Sequence, residues 1–465
     1  MENTPNYNLK KPKPTDKINI QDINENMDII DAEINKKAEQ IDIDSLAGVG
    51  RTAETVKKNA EDIENLSEGM TELTASLYQN TKEIEELDKV TQNIGIRTET
   101  VESQIIDLNT KTEKILGVKQ YGAKGDGITD DTDAIQNLLD TLENGESIYF
   151  PKGIYLVRGL TIQDVEKFRM FGDGWGSQLK LMDGSDSNVL NIINSPRFIL
   201  ENISINGNRD NQTNPHGGVY IERSEFSIIS KAEICFCKNY GLRLTGVTNE
   251  TWEGTDEINI DNCYIHQNDG SGLEINDTHD HSVSACNIEF NEGHGIHLTD
   301  CSCLNILDSI IVSNDKIGIH AQNSSRLNIN ANQVCLNGEN GIKCIGGKQY
   351  NITNNVFHSN GRLDNGYFES GILVAYTSKV IVSGNQSVDI DLDSKTQTYG
   401  LETYSVSELI IIGNDFTPNL ITPTMIDADT NYIAYGNNGL EDKNSITDKI
   451  NELESRLNTL EEINK

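Results

Sequence analysis

Residues 268–290 read NDGSGLEINDTHDHSVSACNIEF, residues 291–313 read NEGHGIHLTDCSCLNILDSIIVS, and residues 314–336 read NDKIGIHAQNSSRLNINANQVCL. Aligned at this step of 23 residues, the three lines share an asparagine at the first position and a glycine at the fifth, which opens an apolar, any, apolar triplet. The asparagine column (Asn268, Asn291, Asn314) continues to Asn337 and Asn360, and the glycine column runs Gly218, Gly241, Gly272, Gly295, Gly318, Gly341, Gly371 and Gly400. A third column pairs Leu304, Leu327 and Tyr350 with Ile306, Ile329 and Ile352. A period in the twenties with short apolar strands and Asn or Gly at the bends describes a solenoid. Leucine-rich repeats share the period, but these units lack the L-x-x-L-x-L-x-x-N run and carry several β-rich pieces per turn, such as LNILDSIIVSND. The expected fold is therefore mainly β, a parallel β-helix. Equivalent side chains in such a helix stack about 4.7–4.9 Å apart, so an inward asparagine column bonds to its own neighbours and is structural.

The same period places candidate chemistry. In each glycine triplet the middle residue points outward, so Tyr220, Arg243, Glu274, His297, His320, Lys343, Leu373 and Glu402 should form one exposed column. Stacking also brings Asp277 over Asp300, Asp269 over Glu292 and Asp315, and Glu274 beside His297. Two carboxylates about 5 Å apart suit a retaining glycosidase, and their repulsion raises the pKa of one, as a general acid needs. Aspartate is also common at turns, which gives the stack a purely structural reading. Longer gaps insert loops around Trp252, around Tyr367 and Phe368, and around Tyr399, each with an aromatic suited to stacking on sugar. Candidate catalytic residues are thus Asp277, Asp300, Glu274 and His297, and candidate glycan-binding residues are Trp252, Arg243, His320, Lys343, Tyr367 and Phe368.

Upstream, a heptad register runs from Val56 through Ile63, Met70, Leu77 and Ile84 to Thr112, with partner positions from Asn59 through Leu66, Leu73, Leu87 and Ile94 to Ile115. A sustained seven-residue repeat imposes a left-handed supercoil, so residues 51–116 should form a coiled-coil stalk. A shorter pattern, Ile446, Ile450, Leu453, Leu457 and Leu460, marks residues 440–465 as a second coiled coil. The repeats between occupy residues 117–439.

Composition narrows the partners. With 36% hydrophobic residues and a net charge of −35, the chain suits an elongated shape and repels nucleic acid and anionic membranes. No apolar run is long enough to span a membrane, and the opening MENTPNYNLKKPKP lacks the apolar core of a signal peptide, so synthesis in the cytoplasm without membrane insertion is expected. The eight cysteines include no CxxC, which favours reduced, buried thiols; a cluster of Cys235, Cys237, Cys301 and Cys303 is the one metal arrangement their spacing offers, and no cofactor or metal is expected.

VKQYGAKGDGITDDTDAIQNLLD (118–140), SIYFPKGIYLV (147–157) and MFGDGWGSQLKL (170–181) resemble the opening of the pectate-lyase-like proteins. The resemblance implies a right-handed parallel β-helix whose open end is capped by a helix over Asp130–Asp140, in agreement with Thr129 or Asp130 as an N-cap. Gly293-His294-Gly295 resembles the glycine-histidine-glycine signature of polygalacturonases, but the Asp-Asp pair of that family is missing. NYNLKKPKPTDKINIQDINENMDIIDAEI (6–34) and LAGVGRTAETVKKNAEDI (46–63) look like attachment segments of phage tail fibres. Together the resemblances imply a homotrimeric virion tail spike. Residues 1–50 would dock to a phage tail or baseplate protein, and the β-helix would bind a host cell-surface glycan or, as a depolymerase, cleave it.

Overall fold

The computed structural model describes residues 2–3, 10–11, 20–39, 53–111, 115–246, 254–363, 369–390, 395–443 and 456. Two compact units divide at Ile105 and Ile106. The first contains helix α1 (Ile20–Glu39) and most of the 59-residue helix α2 (Ala53–Lys111). Heptad positions lie open along α2: Ile63 is 61% exposed and Met70 68%. The heptad count overran the helix, because Ile115 belongs to a strand, Ile115–Gly117, of the second unit.

That second unit is a wound parallel ladder. Its strands fall into three parallel sheets of 11, 13 and 11 strands, visited in turn by successive coils. The first sheet runs from Leu160–Gln163 to Thr422–Ile426, the second from Ile115–Gly117 to Tyr432–Tyr435, and the third from Asp126–Asp130 to Gln386–Val388. Alternation within each strand sends one set of side chains inward; Leu273 and Ile275, Ile296 and Leu298, and Ile319 and Ala321 are all fully buried. Leu327 pairs with Tyr350 and Ile329 with Ile352, as the third sequence column requires. At the open end a short helix α3 (Thr132–Leu139) buries Ile135, Leu138 and Leu139 beneath the Leu160–Gln163 strand. Its N-cap is Asp131, one or two residues later than the sequence suggested, and the buried carboxylate of that residue accepts the N–H groups of Lys124 (2.6 Å) and Gly125 (2.9 Å) instead of capping α3. The GAKGDG loop is therefore satisfied internally.

Asparagine holds the corners. From Asn268 to Asn360, each Nδ2 donates to the Oδ1 of the asparagine one coil on, at 2.9–3.0 Å, and the same oxygen accepts the backbone N–H of its donor. Nδ2 of Asn314 also reaches the Ile288 carbonyl at 3.1 Å, so donor and acceptor capacity are both used. The glycine column is tied to this ladder: a Cβ on Gly295 would lie 2.6 Å from the Gly318 carbonyl oxygen and 2.9 Å from Asn314 Nδ2. A second ladder, not anticipated from the repeat, joins Asn332, Asn355, Asn385, Asn414 and Asn437 at another corner. Each ladder residue follows one in the left-handed region, such as Phe290 before Asn291 or Ala331 before Asn332. Cysteines substitute at such places: Cys237 sits below Asn268, whose Oδ1 accepts its N–H, and the thiols of Cys286 and Cys301 donate to the carbonyls of Ser284 and Thr299 at 3.2 Å. All eight cysteines are free, and Cys235, Cys237, Cys301 and Cys303 do not gather into one metal-binding group.

Replacing Asn314 with alanine leaves the backbone N–H of Asn291 and one of its two Nδ2 hydrogens without an acceptor in a buried corner, the other still reaching the Ile265 carbonyl. The expected loss is about 2–5 kcal/mol in urea denaturation followed by circular dichroism. Lys348→Ala, at an exposed position, should stay within about 0.5 kcal/mol.

Candidate functional site

The outer column inferred from the period is one strand position across eight coils of the first sheet. Tyr220 pairs with Arg243, Arg243 with Glu274, Glu274 with His297, His297 with His320, His320 with Lys343, Lys343 with Leu373, and Leu373 with Glu402. Exposure differs from expectation at the far end, where Leu373 and Glu402 are buried. Glu402 turns back into the protein to accept the hydroxyls of Tyr404, at 2.6 Å, and Ser370.

Between Arg243 and Lys343 the strip is half-buried and polar. The Arg243 guanidinium lies 3.7 Å from the centre of the Tyr240 ring and donates its Nε–H to Glu274 Oε2 at 2.7 Å. His297 and His320 stack in parallel with ring centres 5.0 Å apart, and His294 leans in at 4.9 Å from each. Burial, assisted by the neighbouring imidazoles, Lys316 and Lys343, pushes His294 down to about 3; burial with His297 and Lys343 takes His320 to about 4. Burial also lowers His297, against the opposing pull of Glu274. The three rings are therefore neutral at pH 7; Glu274 matches the charge of Arg243, and Lys316 and Lys343 supply the strip's remaining positive charge.

Ligand nitrogens of the three histidines lie within 4.8 Å of one another, but the tautomer of His294 is set against metal binding. Its Nδ1 accepts the Ile317 N–H at 3.2 Å, so Nε2 carries the proton and presents a donor. The trio can instead offer a hydrogen-bond donor, two imidazoles able to exchange protons, and flanking cations. That set recognises hydroxyls and anionic groups and can support acid-base chemistry.

The paired carboxylates have a different setting. Asp277 and Asp300 are neighbours on adjacent coils, both exposed, both left-handed (φ 54°), each donating its N–H to a carbonyl of the next coil. They share this corner conformation with Asp164, Asn194, Arg223 and Asn323, so turn geometry alone accounts for the stack. Partial burial, then the charge of Asp300, raises Asp277. At another corner Asp269 is matched by Lys238 (2.9 Å) and Arg209 (3.3 Å), and Asp315 by Arg362 (2.7 Å), so those acids are held by cations and share no proton. Trp252, Tyr367 and Phe368 lie outside the described residues. Tyr399 begins a strand of the first sheet and is not part of a loop. Tyr240 and His294 escaped the candidate set although they stand one residue before the glycine column, a column as legible as the one chosen. Lys316 had no such signal.

A parallel three-sheeted β-helix with an ionisable strip on one outer face is the class these features define. Residues 189–357 and 245–421 match the family model described as right-handed β-helix region, together half of the chain, and residues 115–199 match the rhamnogalacturonase A/epimerase, pectate lyase-like model. The chain belongs to the right-handed β-helix family. Alginate lyase 7 of Azotobacter vinelandii is 37% identical over 120 residues, and mannuronan C5-epimerase AlgE2 of the same organism 37% over 111 residues. These stretches are 22% and 20% of this chain but only 14% and 11% of the relatives, so the chain spans a small part of their length. Among solved structures, the A-module of the Azotobacter vinelandii epimerase AlgE6 superposes with a TM-score of 0.54 at 18% identity, over 70% of this chain and all of that one. Tailspike protein 2 of Escherichia coli O157:H7 bacteriophage CAB120 superposes with 0.56 at 16% identity, over 70% and 47%. At such identities these likenesses establish a common fold.

The lowered histidines fix a pH dependence. An unfolded histidine titrates near 6.5, so between that value and about 4 the unfolded chain binds protons that folded His294 and His320 refuse. Their contribution to stability is complete above about pH 6.5 and declines as pH falls toward 4. NMR titration should find both rings neutral at pH 5, and the decline should shrink in the double variant His294→Gln/His320→Gln; rings titrating near 6.5 would contradict the buried arrangement.

Proposed function

We propose that this chain is a homotrimeric tail spike of a phage or phage-tail-like particle, whose first sheet binds a host cell-surface glycan along Arg243, Glu274, His297, His320 and Lys343. The observation that carries the reading is this strip: cations and neutral imidazoles in one register, about 4.8 Å per coil, on the outside of a rigid sheet. A repeating ligand meets a repeating set of donors there.

The stalk supports assembly. Along α2, Ile63, Met70, Ile94 and Val101 are each more than half exposed in the single chain, and burying such a side chain stabilises by about 1.5–3 kcal/mol. Thr91 and Thr98 would sit in the same seam, and their hydroxyls already donate to the carbonyls of Leu87 and Ile94 at 2.8 Å, so they can enter it without an unmet donor. Helix α2 (Ala53–Lys111) is thus read as a three-stranded coiled coil, the heptads beyond Lys443 as a second clamp, and 1–50 as the segment that docks to a tail or baseplate in the virion.

A depolymerase is the second reading, favoured by neutral His297 between the Glu274 carboxylate and His320, a set able to move protons. Asp277 and Asp300 are the alternative catalytic pair. Among the described residues no helix is long and apolar enough to cross a membrane.

Three measurements test these statements. Isolated host-wall glycan should bind the full-length protein, and Arg243→Ala or Lys343→Ala should each weaken it about tenfold or more, the worth of a charge-assisted hydrogen bond, while Lys379→Ala on the second sheet leaves it unchanged. Equal affinity in all three would refute the strip. New reducing ends or unsaturated sugars would establish cleavage; their loss in Glu274→Gln or His297→Ala assigns it to the strip, their loss in Asp277→Asn or Asp300→Asn assigns it to the corner, and the absence of product retires the depolymerase. Replacing Leu87 and Ile94 with serine should move the light-scattering mass from trimer toward monomer.

A further inference from the structure

We propose that Glu233, Cys235 and His266 form a binding site for a zinc-like divalent cation on the outer face of the third sheet, separate from the strip on the first. Glu233 and Cys235 are two apart on the strand Glu233–Cys235, so both leave the same face while Ile234 between them enters the core. The next strand supplies His266 directly opposite Cys235. Carboxylate oxygen, thiol sulfur and imidazole nitrogen all lie within 4.8 Å of one another.

Cys235 is unlike the cysteines that plug the corners. Cys237 and Cys286 occupy ladder positions, Cys301 stands at the third corner, and all three donate to nearby carbonyls, whereas Cys235 faces outward from its sheet and is nevertheless 2% exposed. Its companions are prepared in the manner of metal ligands. His266 Nδ1 lies 3.0 Å from Gln267 Oε1, to which it donates, and Nε2 faces the Glu233 carboxylate, where it donates as an imidazolium or, once deprotonated, offers its lone pair to an ion. That nitrogen is 3.5 Å from Glu233 Oε1, long for a hydrogen bond. A tetrahedral ion with bonds of about 2.0–2.1 Å to nitrogen and oxygen separates them by about 3.3–3.4 Å, which the observed gap nearly matches. The second carboxylate oxygen is held by the Ser204 hydroxyl at 2.5 Å, itself bonded by Gln178.

Charge and donor type indicate the ion. Thiolate, carboxylate and neutral imidazole carry two negative charges, which a divalent cation cancels, and the mixed sulfur, nitrogen and oxygen set suits zinc over calcium or magnesium. Cys235 coordinates as a thiolate, so binding releases its proton. The site also has a structural reach: Tyr264 stacks on His266 with ring centres 4.0 Å apart, and Trp175 stacks on Tyr264 at 5.7 Å. Fixing His266 therefore steadies half-buried Tyr264 and, through it, exposed Trp175.

Full-length protein, stripped with chelator and titrated with zinc chloride by calorimetry, should bind one ion per chain, and cobalt(II) in its place should give a sulfur-to-cobalt charge-transfer band. Cys235→Ser and His266→Gln should each weaken zinc by about a hundredfold or more and abolish the band, with β-sheet circular dichroism unchanged; Cys235→Ala serves if serine unsettles the fold. Wild-type protein that binds no zinc, or zinc binding that survives in these variants and disappears in His297→Gln, would overturn the assignment.

Discussion

From Asn268 to Asn437 the outer face of the β-helix is set by hydrogen bonds made inside its corners. An asparagine amide links its own coil to the next by donating from Nδ2, which also secures a strand carbonyl, while its Oδ1 accepts from the coil before, and the bond recurs from Asn268 to Asn360 and from Asn332 to Asn437. The corners also require residues in the left-handed region, including bulky ones such as Phe236, Phe290 and Leu336, each at a cost of about 1–2 kcal/mol. Saturated bonding from coil to coil offsets that cost and locks the register. A slip of one residue would turn Arg243, His297 and Lys343 into the core and Leu298 and Ile319 out to water.

From this constraint the functional geometry follows. Strands locked in register become a ruler on which side chains from distant stretches of sequence stand side by side. Arg243, Glu274 and His297, 54 residues apart from end to end, become immediate neighbours. Rigidity allows burial to hold the imidazoles neutral, since a side chain that could swing into water would recover its ordinary pKa. The same ruler on the third sheet sets Glu233, Cys235 and His266 together.

Much of this was legible in the chain, because a solenoid converts period into proximity. The glycine triplets located the first sheet and its outer column, and the asparagine column located one corner. Legibility failed where identity varies along a column. The second ladder begins with Cys263, Cys286 and Ser309 before it becomes asparagine at Asn332, and insertions of irregular length separate Asn355 from Asn385, so no single letter recurs to reveal it. Asp277 and Asp300 were correctly placed side by side, yet sequence alone could not separate a carboxylate pair from two residues suited to the left-handed region. The site on the third sheet hides in short strands whose outward residues never repeat, and only cross-strand pairing joins Cys235 to His266.

A structure of the assembled protein with an oligosaccharide from the host surface tests the central claim most directly. The account predicts sugar lying across the coils of the first sheet, with its polar groups within hydrogen-bond distance of Arg243, His297 or His320, and Lys343. An oligosaccharide ordered on another face, with that strip left in water, would contradict it.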